Sequence, residues 1–130
     1  MKHTIVLFGE AEKGQFRKPH LVSSLSQLVD ALGNPPPESE GLFFAVQSLL
    51  YEREIIYFRV SAEGFSSPDY FQGFLDLARQ REKFKKIHAL CLPGVGDAEI
   101  LDASEPLREM HKSFLITNQK DLYDYLTSSK

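Results

Sequence analysis

The residues best suited to chemistry lie near the ends of the predicted strands. Glu10, Ser61, Asp97 and Asn118 each follow an apolar run. In open α/β sheets, ligands bind beyond the carboxyl ends of the strands. These four residues are therefore candidates for a site that binds a small molecule or a nucleotide. Asp97 has a simpler alternative role, because an aspartate that precedes a helix commonly caps it.

Residues 9–16 have glycines at the spacing of a phosphate-binding loop. Gly9 and Gly14 are separated by four residues, as in G-x-x-x-x-G. A phosphate-binding loop continues with Lys and then Ser or Thr, whereas this chain continues with Gln15 and Phe16. Two glutamates also lie inside the loop. The pattern favours a surface turn, and we predict no cofactor.

The nucleophilic and metal-ligating residue types are scattered. The histidines His3, His20, His88 and His111 lack the spacing of a metal site, and Cys91 is the only cysteine. Cys91 lies within an apolar run, where burial makes a thiol inert. We predict His88 to be a core or sheet-edge histidine. The sequence predicts no catalytic residue and no metal ligand, although it leaves an enzymatic function open.

The aromatic residues suggest an interaction surface. The chain has ten Phe and five Tyr but no Trp. We predict partial exposure for the five aromatic residues Tyr57, Phe65, Tyr70, Tyr123 and Tyr125. Exposed aromatic clusters mark protein interfaces. The alternative is that most of these side chains cover the hydrophobic core.

Composition limits the class of protein. The chain has 130 residues, with 15 Lys and Arg against 18 Asp and Glu, which gives a net charge of -3. This balance disfavours nucleic-acid binding. A single cysteine suits a reducing compartment. Residues 5–8 are too short for a signal-peptide core, and no apolar run is long enough to cross a bilayer. We therefore expect a soluble, cytoplasmic protein with no membrane contact.

Alternating strands and helices predict the fold. Apolar runs predict strands at residues 4–8, 55–60, 87–92 and 113–117, with a brief extended segment at 20–22. Helical periodicity predicts helices at 24–32, 39–50, from 67, 98–112 and 120–127, with Pro106 kinking or restarting the fourth. Residues 1–130 are thus expected to form one α/β domain: a mostly parallel or mixed sheet of about four strands with helices on both faces. We expect Phe58 and Leu90 on neighbouring inner strands, and residues 4–8 and 113–117 at the sheet edges.

Several segments, in order, resemble the contractile tail sheath proteins of phages and related injection machines. The similar segments are residues 9–14, 18–19, 21–25, 32–33, 44–50, 57–60, 87–94 and 111–116. The resemblance implies a reduced sheath-like α/β domain without the C-terminal arms that join sheath subunits. It also implies a structural, non-catalytic protein that contacts a partner protein or itself. Without those arms, we expect a monomer or a small closed oligomer.

Overall fold

Five strands form one mixed sheet in the order β2-β3-β1-β4-β5 in a computed structural model that describes residues 3–128. The strands are β1 (Thr4–Gly9), β2 (His20–Val22), β3 (Glu54–Arg59), β4 (Ala89–Cys91) and β5 (Phe114–Ile116). The helices are α1 (Leu25–Leu32), α2 (Gly41–Leu50), α3 (Ser67–Arg79), α4 (Ala98–His111) and α5 (Gln119–Ser128). The predicted α/β class is confirmed, with one strand more than expected because β2 joins the sheet.

The central strand is β1, which pairs in parallel with both β3 and β4. Its residues Ile5 to Phe8 are fully buried, as expected for a strand that helices cover on both faces. The prediction that residues 4–8 form a sheet edge is therefore wrong. Phe58 and Leu90 are both buried, but β1 separates their strands, so the predicted adjacency is also wrong. The edges are β2, antiparallel to β3, and β5, parallel to β4.

Two hydrophobic clusters lie on opposite faces of the sheet. One joins Ile5 and Leu7 to residues of α1, α2 and α5. The other joins Val6 and Phe8 to residues of α3 and α4. In the second cluster, the Phe8 ring stacks on Phe58 with a centroid distance of 4.7 Å. The strict alternation along β1 assigns its side chains to the two clusters, as the two-residue period of a strand requires.

Helix α4 continues through Pro106 instead of restarting there. Proline removes one backbone donor from the helix. Side chains of the preceding and following turns supply other bonds: the Ser104 hydroxyl donates to the Leu101 carbonyl oxygen at 2.7 Å, and Arg108 Nε donates to the Ser104 hydroxyl at 3.0 Å. The helix is therefore one element from Ala98 to His111.

Three of the five aromatic residues predicted to be exposed are buried. Tyr57 lies on the inner strand β3 and is fully buried, and Tyr70 lies on the sheet-facing side of α3 with its ring stacked on Phe8. Tyr125 packs on α5 against Phe114, with ring centroids 5.5 Å apart. Tyrosine has a large apolar ring, so its burial adds apolar contact area to a core. Phe65 and Tyr123 are exposed, as predicted.

Candidate functional site

At the carboxyl end of β1, the backbone of Gly9 lies against the start of α2. A Cβ atom on Gly9 would lie 2.6 Å from the Gly41 Cα atom and 2.4 Å from the Tyr57 hydroxyl oxygen. A side chain at either glycine would therefore overlap its neighbours. This close approach brings the first turn of α2 to the point where a nucleotide phosphate would enter a doubly wound sheet.

A carboxylate of the chain itself occupies that helix start. Glu63 accepts hydrogen bonds from the backbone N–H groups of Glu10, Glu40 and Gly41, each at 2.8 Å. In return, the Glu10 carboxylate accepts the Glu63 N–H at 3.0 Å. Burial raises the pKa of Glu63, and the three N–H donors act in the opposite direction. These three N–H groups could have bound a ligand anion, but they are bonded to Glu63 instead.

A buried carboxylate, that of Asp69, anchors the loop that follows β3. Asp69 accepts the Ser61 N–H at 2.9 Å and the Ser61 hydroxyl at 3.1 Å. The Arg17 guanidinium pairs with the same carboxylate at 2.9 Å. Burial would raise the pKa of Asp69, but the hydrogen bonds from Ser61 and Arg17 outweigh it and hold that pKa below its ordinary value. This cluster ties three separate segments together.

Each of the four predicted ligand residues has a hydrogen-bond partner within the fold. Among the described residues, no hydrogen bond links any two of them. Glu10 bonds to the Glu63 N–H, and Ser61 bonds to Asp69. Asp97 caps α4 by accepting the Glu99 N–H at 2.8 Å, which is the simpler of its two predicted roles. Asn118 likewise accepts the Asp121 N–H at the start of α5.

The segment with phosphate-loop spacing packs against α1. The N–H groups of Glu12 and Lys13 both donate to the Leu32 carbonyl oxygen, at 3.0 and 3.1 Å. The Glu12 carboxylate accepts the Asn34 N–H at 2.9 Å. These N–H groups therefore bind the carboxyl end of a helix instead of forming a cradle for phosphate. The simpler prediction of a surface turn agrees with this geometry.

The most reactive side chain types are engaged or buried. Cys91 is fully buried, and burial raises the pKa of its thiol. His88 accepts the Thr4 N–H at 3.1 Å and stacks on His3 with ring centroids 4.0 Å apart. Burial, together with the nearby His3 and Lys86, lowers the pKa of His88. His111 accepts the Ile87 N–H through Nδ1 at 3.2 Å. Each of these contacts fixes a strand end or a helix end.

Open clefts lie elsewhere, beside the two edge strands. A cleft of about 660 Å³ at the amino end of β3 is lined by Leu21, Ile56, Phe84 and the basic residues Lys83, Lys85 and Lys86, among others. A cleft of about 420 Å³ lies beside β5 and includes Phe114, Asp121 and Asp124. The sequence gives no signal for the first cleft except its basic segment, because its other walls come from distant strands.

The basic segment before β4 is the main concentration of positive charge near a cleft. Five of the eight residues at 79–86 are Arg or Lys, and one is Glu. Within residues 3–128, ion pairs join Arg17 to Asp69 and Lys120 to Asp124 only. The lysines that line the larger cleft thus have no carboxylate partner in that part of the chain.

Comparisons with known proteins add no relative. No protein-family model, curated protein or solved structure matches this chain. None of the helices in the described range is long and apolar enough to cross a membrane. Residues 3–128 also hold no group of three or more His, Cys, Asp or Glu side chains arranged for a metal ion.

Proposed function

We propose that this domain is a structural assembly module that contacts copies of itself and other proteins through the edges of its sheet. The observation that carries the proposal is the exposure of an apolar side chain on each edge strand. Leu21 on β2 is 58% exposed, and Phe114 on β5 is 64% exposed. Open strand edges with apolar side chains are the surfaces through which sheets pair with other chains.

The state of the carboxyl edge supports a non-catalytic role. Glu63 and Asp69 use their oxygens on backbone N–H groups and on Arg17, so the polar atoms at this edge stabilise loops. The resemblance of the sequence to tail sheath proteins points in the same direction, towards assembly. The alternative of a small-molecule or nucleotide site formed by Glu10, Ser61, Asp97 and Asn118 has less support, because each of these residues has a bond within the fold.

Light scattering over a range of protein concentrations tests the proposal. We expect a concentration-dependent rise in mass to a small oligomer. Leu21→Lys and Phe114→Lys should each abolish the rise, since a lysine on an edge strand opposes pairing. Leu50→Lys is the matched control, because Leu50 is 61% exposed but lies at the end of α2 and not on an edge strand.

Two results would contradict the proposal. One is a wild-type protein that stays monomeric at every concentration. The other is an oligomer whose mass is unchanged by both edge substitutions. Thermal shifts with a panel of nucleotides test the alternative, because a ligand of the native state raises its apparent stability. A shift that Glu10→Gln or Ser61→Ala removes would favour the alternative.

A further inference from the structure

We propose that the cleft of about 660 Å³ beside β2 binds an extended, acidic segment of a partner protein, which adds to the sheet along β2. This inference rests on the proposed function, because it names the chemistry of the partner at one of the two edges.

The charge of the cleft selects an anionic partner. Lys83, Lys85 and Lys86 line it, with Glu54 as an opposing charge. No ion pair satisfies these lysines within the described residues. The whole chain carries a net charge of -3, so this local excess of positive charge is opposite in sign to the molecule. Carboxylates placed beside the lysines would form charge-assisted hydrogen bonds.

Among the described residues, one of the lysines has no interaction that a partner would need to break. Lys86 donates to the His111 carbonyl oxygen, and Lys83 Nζ lies 5.5 Å from the centroid of the Phe84 ring. Lys85 is exposed and makes no such contact with any residue in the range 3–128. We therefore assign Lys85 the main role in binding a carboxylate.

The floor of the cleft selects apolar side chains between the acidic ones. Leu21 lies directly opposite Ile56 in the β2–β3 pair, so the two side chains are on the same face of the sheet. Phe84, from the segment before β4, completes the apolar lining. The cleft volume is within the range of about 300–1,000 Å³ that is typical of ligand pockets, which is enough for several side chains.

The edge strand favours a polypeptide over other anions. β2 is the last strand of the sheet, and its outer side pairs with no other strand in residues 3–128. An extended segment can use this backbone, the apolar floor and the lysines together. A nucleic acid would use the lysines alone, and an anionic membrane would leave the backbone of β2 unpaired.

Fluorescence anisotropy at low protein concentration tests the inference. The probe is a short labelled peptide in which isoleucine and valine alternate with glutamate, and its counterpart has lysine in place of glutamate. We expect binding of the glutamate peptide and at least about tenfold weaker binding of the lysine peptide. Lys85→Glu should weaken binding of the glutamate peptide by about tenfold. The matched control is Lys13→Glu, which reverses an exposed lysine in the loop after β1.

A backbone-modified peptide separates strand addition from simple charge attraction. N-methylation of alternate residues, in either of the two registers, removes one set of backbone donors and leaves every side chain in place. If the segment adds to β2, one of the two methylated peptides loses binding and the other retains it. Equal binding by both peptides would overturn strand addition.

Other results would overturn the inference as a whole. One is equal affinity for the glutamate and lysine peptides, and another is peptide binding that Lys85→Glu leaves unchanged. The third is binding to duplex DNA or to phosphatidylglycerol vesicles that depends on Lys85, with no binding to the peptide. The peptide assay does not require self-association. If the protein binds the peptide but stays monomeric, only the self-assembly in the proposed function is contradicted. If it forms an oligomer through its sheet edges but does not bind the peptide, only this inference is contradicted.

Discussion

Replacement of Asp69 by asparagine should destabilise the domain measurably. The Ser61 N–H bonds to Asp69 Oδ2, and Arg17 Nε bonds to Asp69 Oδ1. Asparagine has an oxygen at only one of these two places, so it cannot accept both hydrogen bonds. A partly buried hydrogen bond from a backbone N–H to a charged acceptor, such as that of Ser61, contributes roughly 1–3 kcal/mol. The half-exposed ion pair with Arg17 adds about 0–1 kcal/mol. We therefore expect Asp69→Asn to lower the free energy of unfolding by about 1–4 kcal/mol.

The difference between the wild type and Asp69→Asn should depend on pH. The pKa of Asp69 is below its ordinary value in the folded protein, because the bonds from Ser61 and Arg17 outweigh burial. An acid with a lowered folded pKa contributes stability that is complete above its unfolded pKa of 3.8 and is lost as pH falls through the folded value. Urea unfolding of both proteins near neutral pH and in acid measures this difference.

The matched control for this prediction is Arg17→Gln. It removes the ion pair but leaves the Asp69 oxygens for Ser61, so it should cost no more than about 1 kcal/mol. A loss in Arg17→Gln equal to that in Asp69→Asn would refute the claim that the Ser61 bond contributes most. A difference between wild type and Asp69→Asn that is the same in acid as at neutral pH would refute the assigned charge state.

Three further predictions concern the core and the loop after β1. Phe58→Ala and Leu90→Ala should lower the free energy of unfolding by about 3–5 and 2–5 kcal/mol, because both side chains are buried, and near-wild-type urea midpoints would contradict this. Cys91 should react with a thiol reagent only after unfolding, since burial raises the pKa of its thiol, and rapid labelling of the native protein would be inconsistent with that burial. The double change Gln15→Lys with Phe16→Ser should confer no ATP binding in calorimetry, because the loop N–H groups bind Leu32. Micromolar ATP binding by the unchanged protein would contradict the non-catalytic proposal as well.

Local sequence signals predict most of the elements. The spacing of Ser24 and Gln27 predicts a capped helix start, and the Ser24 hydroxyl accepts the Gln27 N–H at 3.2 Å. Gly33 has a φ of 75°, as expected for a glycine that ends a helix. Each of these signals involves residues only a few positions apart, so the sequence alone contains the physical cause.

The order of the strands requires information that local patterns lack. The runs that become β1 and β3 are both apolar on both faces, and this pattern indicates burial without indicating neighbours. Tyr57 and Tyr70 illustrate the same limit at the level of side chains. The sequence alone does not show whether such a tyrosine lies at the surface or in the core, because the groups that surround its ring and hydroxyl are set by the fold. The Tyr57 hydroxyl donates to the Glu10 carbonyl oxygen at 2.8 Å, and the Tyr70 hydroxyl accepts the Gly64 N–H at 2.8 Å.

The carboxylates at the carboxyl edge could not have been assigned from the sequence. Glu63 and the Glu10 N–H are 53 positions apart, and Asp69 and Arg17 are 52 positions apart. Glu10 and Ser61 were predicted as ligand residues because they follow strands, and both do lie just after the carboxyl end of a strand. The prediction missed the partners that use their bonding capacity, because those partners reach the edge only through the fold.

The two ends of the sheet differ in how their charges are satisfied, and this difference supports a partner at the amino end. At the carboxyl end, Glu63 fills the start of α2 and Asp69 pairs with Arg17, so a ligand there would have to displace bonds that the fold already has. At the amino end, Lys85 could donate to a carboxylate of a partner without breaking a bond to another described residue. An anion gains most where cations are near an apolar surface and have no competing partner, because the new bonds then replace only water. The proposed acidic segment would therefore bind Lys85 without displacing a bond that the described residues give to that lysine.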